Sequence, residues 1–410
     1  MKERMAALLA TALGLVAMPA MAAHPRQQAL DRLVTAGMST SGSRGLAVAI
    51  IEDGRVTLVR TWGQRNAKGD PLTADTVMYG ASLTKAMFGY LVAQLADEGK
   101  LDLDASIADI LPRPLPEYVG EKERFAPYED LAGDERWRHV TPRILLNHAS
   151  GFANFYWDNA DGRLRFHFDP GTRYAYSGDG INLLQFVIER GLGLSVEEEM
   201  QRRFFRPLGM RNTSLIWQPH FAANLADGWK EDGDIEPHDE RSKVRAAGSM
   251  DTSIADLAKL VAAYVRGDGL SARARRSMVA PQLTIRTPTQ FPSLQPEPAT
   301  AVHRGLGAGL GVIGFIGPQG PGFQKGGHND STGNTLVCLE EGRRCVLILS
   351  NDVRSEQLFP ELVRLVLGET GFPWAWEYGP PHGQISLDHS LLGVLPPGRD
   401  PAPGDDQRGP

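Results

Sequence analysis

The chain has 410 residues, 42% hydrophobic and 22% charged, which is ordinary usage for a folded protein and fits neither a disordered chain nor a multi-span membrane protein. Its 43 Lys and Arg against 49 Asp and Glu leave a net charge of −6, and no basic stripe is dense enough for a phosphate backbone, which argues against nucleic acid as a partner. Two cysteines, Cys338 and Cys345, exclude a disulfide-dense scaffold and a four-cysteine zinc site.

The first elements read as export machinery. Lys2 and Arg4 precede an apolar run from Met5 to Met18, and Ala20 and Ala22 form an A-x-A cleavage signal. Residues 1–22 are therefore expected to be a signal peptide, and the product periplasmic or secreted. The apolar run is shorter than the ~20 residues that span a bilayer, so no stable membrane anchor is expected.

Leu46–Ile51 and Val56–Trp62 are β-rich runs around Glu52-Asp53-Gly54-Arg55, a hairpin. From Leu83 to Gly99 the apolar spacing becomes helical, with Gly99 as the stop. Residues 100–275 are expected to be mainly helical, with helices over Thr141–Asn147, Gly180–Gly191, Val196–Phe205 and Ser253–Arg266. A loop or lid rich in Pro, Thr and Gln follows over Ala280–Ala301. β-Character returns at Thr335–Cys338 and Cys345–Leu349, and an amphipathic helix runs over Ser355–Leu367. Strand-forming ends around a helical middle predict an α+β protein of two interleaved lobes: an antiparallel sheet flanked by helices, from about 28–78 and 300–370, and a mainly helical lobe from about 80–275. The Pro-rich tail, 379–410, is expected to be disordered.

Three stretches carry chemistry. Ser82-Leu83-Thr84-Lys85 is an S-x-x-K at a helix start. Three residues make just under one turn, so hydroxyl and amine share a face. A serine needs a base beside it to become a nucleophile, and a buried Lys85 can serve. The plainer alternative is that Ser82 only caps the helix. Tyr176 is presented by the turn-rich segment Pro170–Gly180, with a buried core tyrosine as the alternative. Lys325-Gly326-Gly327-His328 lets a ligand approach the backbone, or is simply a glycine turn entering a strand.

The order Ser82/Lys85, then Tyr176, then Lys325-Gly326-Gly327 resembles the serine β-lactamase and penicillin-binding superfamily, in its class C-like branch. Val140–Gly151, Pro207-Leu208-Gly209-Met210 and Ala246–Met250 with Asp256-Leu257-Ala258 add to the likeness, which covers about residues 28–370. It implies the β-lactamase/transpeptidase-like fold and an acyl-enzyme on Ser82, with Lys85 and Tyr176 sharing acid–base work. It also implies an oxyanion hole from the backbone N–H groups of Ser82 and His328. Lys325, Gly326 and Gly327 would bind substrate, Lys325 attracting an anion or helping to depress the Tyr176 pKa. The expected function is cleavage of an ester or amide in a small-molecule or peptide substrate. The alternative is an acylatable penicillin-binding or sensor domain that turns over poorly.

Two departures stand out. Gly178 replaces the Asn often found two residues after the tyrosine, and Gly326 replaces the Thr of Lys-Thr-Gly; both argue against efficient β-lactam hydrolysis. Cofactor and metal are expected to be none. Gly309–Gly314 matches G-x-G-x-x-G but opens no helix, and neither H-E-x-x-H nor G-x-S-x-G occurs. His148 reads as structural, whereas Tyr156 and Trp157 fit a cleft lining or a core equally well. Cys338 and Cys345 flank a charged, Gly-containing turn, and cross-strand partners lie within disulfide range, so a bond closing that hairpin is predicted. The sequence is silent on oligomeric state.

Overall fold

The computed structural model describes residues 25–379; the expected signal peptide and, past Gly379, the expected disordered tail lie outside them. The first hairpin joins β1 (Gly45–Glu52) to β2 (Arg55–Gly63). Its turn residues Asp53 and Gly54 have φ of 51° and 70°, the left-handed pair that matches strand twist. Six later strands extend the sheet: β3 (Leu283–Thr284), β4 (Gly307–Ala308), β5 (Ile313–Gly317), β6 (Gly320–His328), β7 (Gly333–Leu339) and β8 (Arg344–Ser350). The order is β2-β1-β8-β7-β6-β5-β4-β3, antiparallel throughout. β1 pairs with β8, Leu46 opposite Ser350 and Ile51 opposite Cys345, so both ends of the chain build one sheet. Cys338 faces Cys345 across β7 and β8 with Cα atoms 4.1 Å apart and the sulfurs at bonding distance.

Because side chains alternate along a strand, the sheet buries two faces. Leu46, Val48 and Ile50 with Val346 and Ile348 point to one, which α1 (Pro25–Ser41) covers with Leu30, Leu33 and Val34. Ala47, Ala49 and Ile51 with Leu347 and Leu349 point to the other and join the core that also holds α2 (Leu83–Asp97), which packs on β6 and β7. α2 is buried from Leu83 to Leu95 and nearly apolar all round, as a helix between two layers must be. α3 (Gly178–Gly191) packs against the short helices of the middle segment, whereas α4 (Ile254–Arg266) packs directly on β1, β2 and β8; α5 (Phe359–Leu367) and the short α6 (Trp374–Tyr378) return to the outer face.

The mid-chain helices start where hydroxyl caps allow. Thr141, Ser177, Ser195 and Ser253 accept from the amides of Ile144, Gly180, Glu198 and Asp256. The Val196 helix passes into a wider π-type turn over Gln201–Phe205, and the helix expected from Ser355 is a 3-10 turn until Phe359. The expected helical character of 100–275 is only partly present. Between 100 and 140 it reduces to Ile107–Ile110 and single 3-10 turns, because Pro112, Pro114, Pro116 and Pro127 remove amide donors.

The G-x-G-x-x-G segment serves packing. Gly311, at φ 79°, lies against α2, where a methyl group would stand 2.5 Å from the Lys85 carbonyl oxygen. On α2 itself a methyl at Gly89 would overlap the Leu310 carbonyl. Glycine to alanine in a helix interior ordinarily stabilises by up to ~1 kcal/mol. Gly89→Ala is instead expected to destabilise by about 1–3 kcal/mol through overpacking, read as a lower urea midpoint; a raised midpoint would refute this contact.

Candidate active site

Ser82 sits on a sharp turn into α2. Ala81 before it takes φ 46°, a left-handed conformation that costs a non-glycine residue of order 1–3 kcal/mol. Local bonds hold the strained turn. Gly80 N donates to Met250 O (2.8 Å), Thr84 Oγ1 donates to Ala81 O (2.6 Å), and Met78–Tyr79 pairs with Asp251–Thr252. The Ser82 side chain caps nothing. Its Oγ instead lies 2.9 Å from Lys85 Nζ and 2.8 Å from Tyr176 Oη.

Lys85 is buried and also donates to the Ala247 carbonyl. That peptide is fixed from behind, since Ala247 N donates to Asn182 Oδ1 (3.1 Å) on α3. Burial pushes the Lys85 ammonium well below its ordinary range, and the charge of Lys325 pushes the same way. A neutral amine in contact with Ser82 Oγ can accept the hydroxyl proton.

Tyr176 is both a core residue and a site residue: its ring is buried while its hydroxyl reaches Ser82. The ring stacks on His148, centroids 4.4 Å apart. His148 Nδ1 accepts from Ser177 N (3.1 Å) and its carbonyl accepts from Ala175 N (2.8 Å), so this histidine clamps the segment on both sides of Tyr176. Burial holds its ring neutral, and the charge of Lys325 pushes the same way. One expectation is corrected. The Tyr176 pKa is raised rather than depressed: burial holds the phenol above its ordinary value, with the Ser82 hydrogen bond opposing.

Lys325, Gly326, Gly327 and His328 form the end of β6. Pairing with β5 stops at Gln324, while pairing with β7 continues to His328, and Lys325, Gly326 and His328 border a cavity of about 840 Å³. A methyl at Gly327 would lie 3.1 Å from Ser82 N, and the strand therefore lies flush on the Ser82 turn. Lys325 Nζ lies 5.2 Å from the Tyr176 ring centroid and donates to Gly326 O (2.7 Å). Burial lowers its pKa to about 8, against the favourable charge of Glu377. The His328 ring borders the cavity with Nδ1 3.2 Å from Glu356 Oε1.

Several residues here carried no motif. Phe155 fills the space a side chain at Gly178 would need, and Asn154 Oδ1 accepts from Gly178 N (2.9 Å). Glu377, from α6, occupies the space beside Gly326. Phe291, in the expected loop or lid, and Trp157, stacked on Phe155, also line the cavity, whereas Tyr156 packs against the core. No group of three or more His, Cys, Asp or Glu among the described residues is arranged to hold a metal.

The sequence profile of the Beta-lactamase family matches residues 30–369. The chain belongs to that family. As a family member it is a serine hydrolase of the β-lactamase and penicillin-binding superfamily, in agreement with its motifs. It is 26% identical over 372 residues to penicillin-binding protein 4 of Amycolatopsis lactamdurans, covering 85% of this chain and 91% of that protein. It is 27% identical over 225 residues to a lovastatin esterase of Penicillium rubens, covering 48% of this chain and only 56% of that one. A β-lactamase/D-alanine carboxypeptidase structure from Pseudomonas syringae superposes with TM-score 0.67 at 17% identity, covering 84% of this chain and 99% of that one. A class C β-lactamase gives 0.66 at 17%, covering 84% and 96%. These likenesses bear out the α+β, β-lactamase-type fold.

In this β-lactamase-family chain the His148 clamp has a consequence for stability. A histidine neutral in the fold takes up a proton only on unfolding, so stability falls as pH drops below its ordinary value of 6.5. Denaturant unfolding of wild type and His148→Gln should show a shallower acid loss in the variant between that value and about pH 5. Parallel curves would contradict a buried neutral imidazole.

Proposed function

We propose that the protein is an exported serine hydrolase that cleaves an ester or amide in a small-molecule or peptide substrate through an acyl-enzyme on Ser82. The observation that carries this is the simultaneous contact of Ser82 Oγ with a buried lysine and a buried phenol. Neutral Lys85 takes the Oγ proton as oxygen bonds to the substrate carbonyl carbon, and the carbonyl electron pair moves to its oxygen. The backbone N–H groups of Ser82 and His328 stabilise that oxyanion. When the tetrahedral species collapses, the leaving group departs with a proton from Tyr176, which is replenished from Lys85. Water then adds to the acyl carbon, giving its proton to the Lys85–Tyr176 pair, which returns it to Ser82 Oγ as the bond from Oγ to the acyl carbon breaks and the acid leaves.

Phe155 at the Gly178 position and Glu377 at the Gly326 position favour an ester or amide over a β-lactam, and the similarity to a lovastatin esterase supports the ester. Export is supported by the amino-terminal leader pattern and by the cysteine pair, which persists as a disulfide in an oxidising compartment. A second reading, an acylatable penicillin-binding or sensor domain, is favoured by the missing amide at Gly178.

With nitrophenyl acyl esters, wild type is expected to turn over steadily and Ser82→Ala not at all. Lys85→Ala should lose roughly 100-fold or more, the scale of removing a general base. Retained turnover in Ser82→Ala would overturn the assignment, and a stable fluorescent-penicillin label without ester turnover would favour the sensor.

A further inference from the structure

Glu377 has no role in the chemistry described above, yet it is built into the cavity wall. It sits on α6 at 5% exposure, and its Oε2 has no hydrogen-bond partner among the described residues. The helix that carries it is firmly held. On one side Gln290 N donates to Trp376 O (2.7 Å) and Trp376 Nε1 to Thr287 Oγ1 (3.3 Å); on the other Tyr378 Oη donates to Asn334 O (3.2 Å). A carboxylate held in a wall with a bare oxygen forfeits hydration without regaining hydrogen bonds. That oxygen is sealed from the cavity as well, but the residue borders the cavity, so a molecule bound there meets the carboxylate's charge.

Its position defines which part of a substrate it meets. A β-carbon at Gly326 would overlap Glu377 Oε1, so the carboxyl group takes the space of the absent side chain, one residue from Lys325. Lys325 in turn lies beside the Tyr176 ring. Tyr176 is the donor to the departing group, so Glu377 borders the leaving-group side of Ser82. Lys325 alone would draw a carboxylate to this end of the cavity. The negative charge of Glu377 offsets that attraction and favours a cation in its place.

We propose that Glu377 is a specificity-determining residue that rejects a carboxylate on the leaving group and selects one bearing an ammonium. The proposal rests on the acyl-enzyme reading of Ser82. It identifies the substrate class as esters or amides of amine-bearing leaving groups.

Three phenyl acetates that differ only at the para position test it: aminomethyl (cationic), ethyl (neutral) and carboxymethyl (anionic). The ratio of kcat/KM for the aminomethyl ester to that for the carboxymethyl ester is measured in wild type and in Glu377→Gln. Dividing one enzyme's ratio by the other's cancels intrinsic leaving-group reactivity. Wild type should favour the cation, and its ratio should exceed that of Glu377→Gln by about tenfold or more, the scale of a like-charge mismatch in a closed site. Equal ratios in the two enzymes, or a wild-type preference for the carboxymethyl ester, overturn the proposal. A readout without any variant uses competitive inhibition of ethyl-ester hydrolysis by benzylammonium and by phenylacetate. Stronger inhibition by benzylammonium supports the proposal, and equal or stronger inhibition by phenylacetate overturns it. Labelling by a neutral fluorophosphonate separates the two layers. A labelled Ser82 without charge discrimination sinks the role of Glu377 alone, whereas an unlabelled Ser82 sinks the catalytic reading beneath it.

Discussion

Lys85 is 2% exposed, and its amine hydrogen-bonds a serine hydroxyl and a peptide carbonyl, with no carboxylate in hydrogen-bond contact among the described residues. Taking an ammonium out of water without such a partner costs several kcal/mol, and a lysine answers that cost by giving up its proton. Much of the molecule maintains this condition. The apolar helix α2 carries Lys85 between the layers, the Gly309–Gly311 loop seals one side of it, and Asn182 fixes the Ala247 peptide on the other. The second buried lysine, Lys325, adds its charge to the same effect.

Tyr176 and His148 extend the same logic. The phenol is held neutral by burial and the imidazole by burial and the charge of Lys325, so hydrogen bonds around Ser82 are made chiefly by uncharged groups. Such a site stores little charge at rest and concentrates its stabilisation where charge develops. The strain at Ala81 belongs to this arrangement. It turns the chain so that Ser82 Oγ faces the cavity rather than capping α2.

Much of this was legible in the sequence. The first hairpin, α2, the capped helices and the paired cysteines follow from local rules: period, turn residues and hydroxyl caps. Ser82, Lys85, Tyr176 and Lys325 were legible as motifs because their spacing matches the geometry that brings them together. The predicted elements omit α1, although Leu30, Leu33, Val34 and Met38 recur at helical spacing, and they omit β5 and most of β6, whose glycines and prolines read as loop. Phe155, Asn182 and Glu377 were not legible at all. Each acts at a position distant in sequence: Phe155 fills the space at Gly178, Asn182 holds Ala247, and Glu377 fills the space at Gly326. The two glycine departures, read alone as losses, are vacancies into which other side chains have been packed.

The central claim is that Lys85 is a neutral amine in contact with Ser82, and titrating that lysine tests it most directly. In protein carrying 13C-labelled lysine, with the Lys85 Cε signal assigned by its loss in Lys85→Arg, the account predicts a transition well below the ordinary 10.5. A Lys85 signal that stays in its charged form up to that value would contradict it.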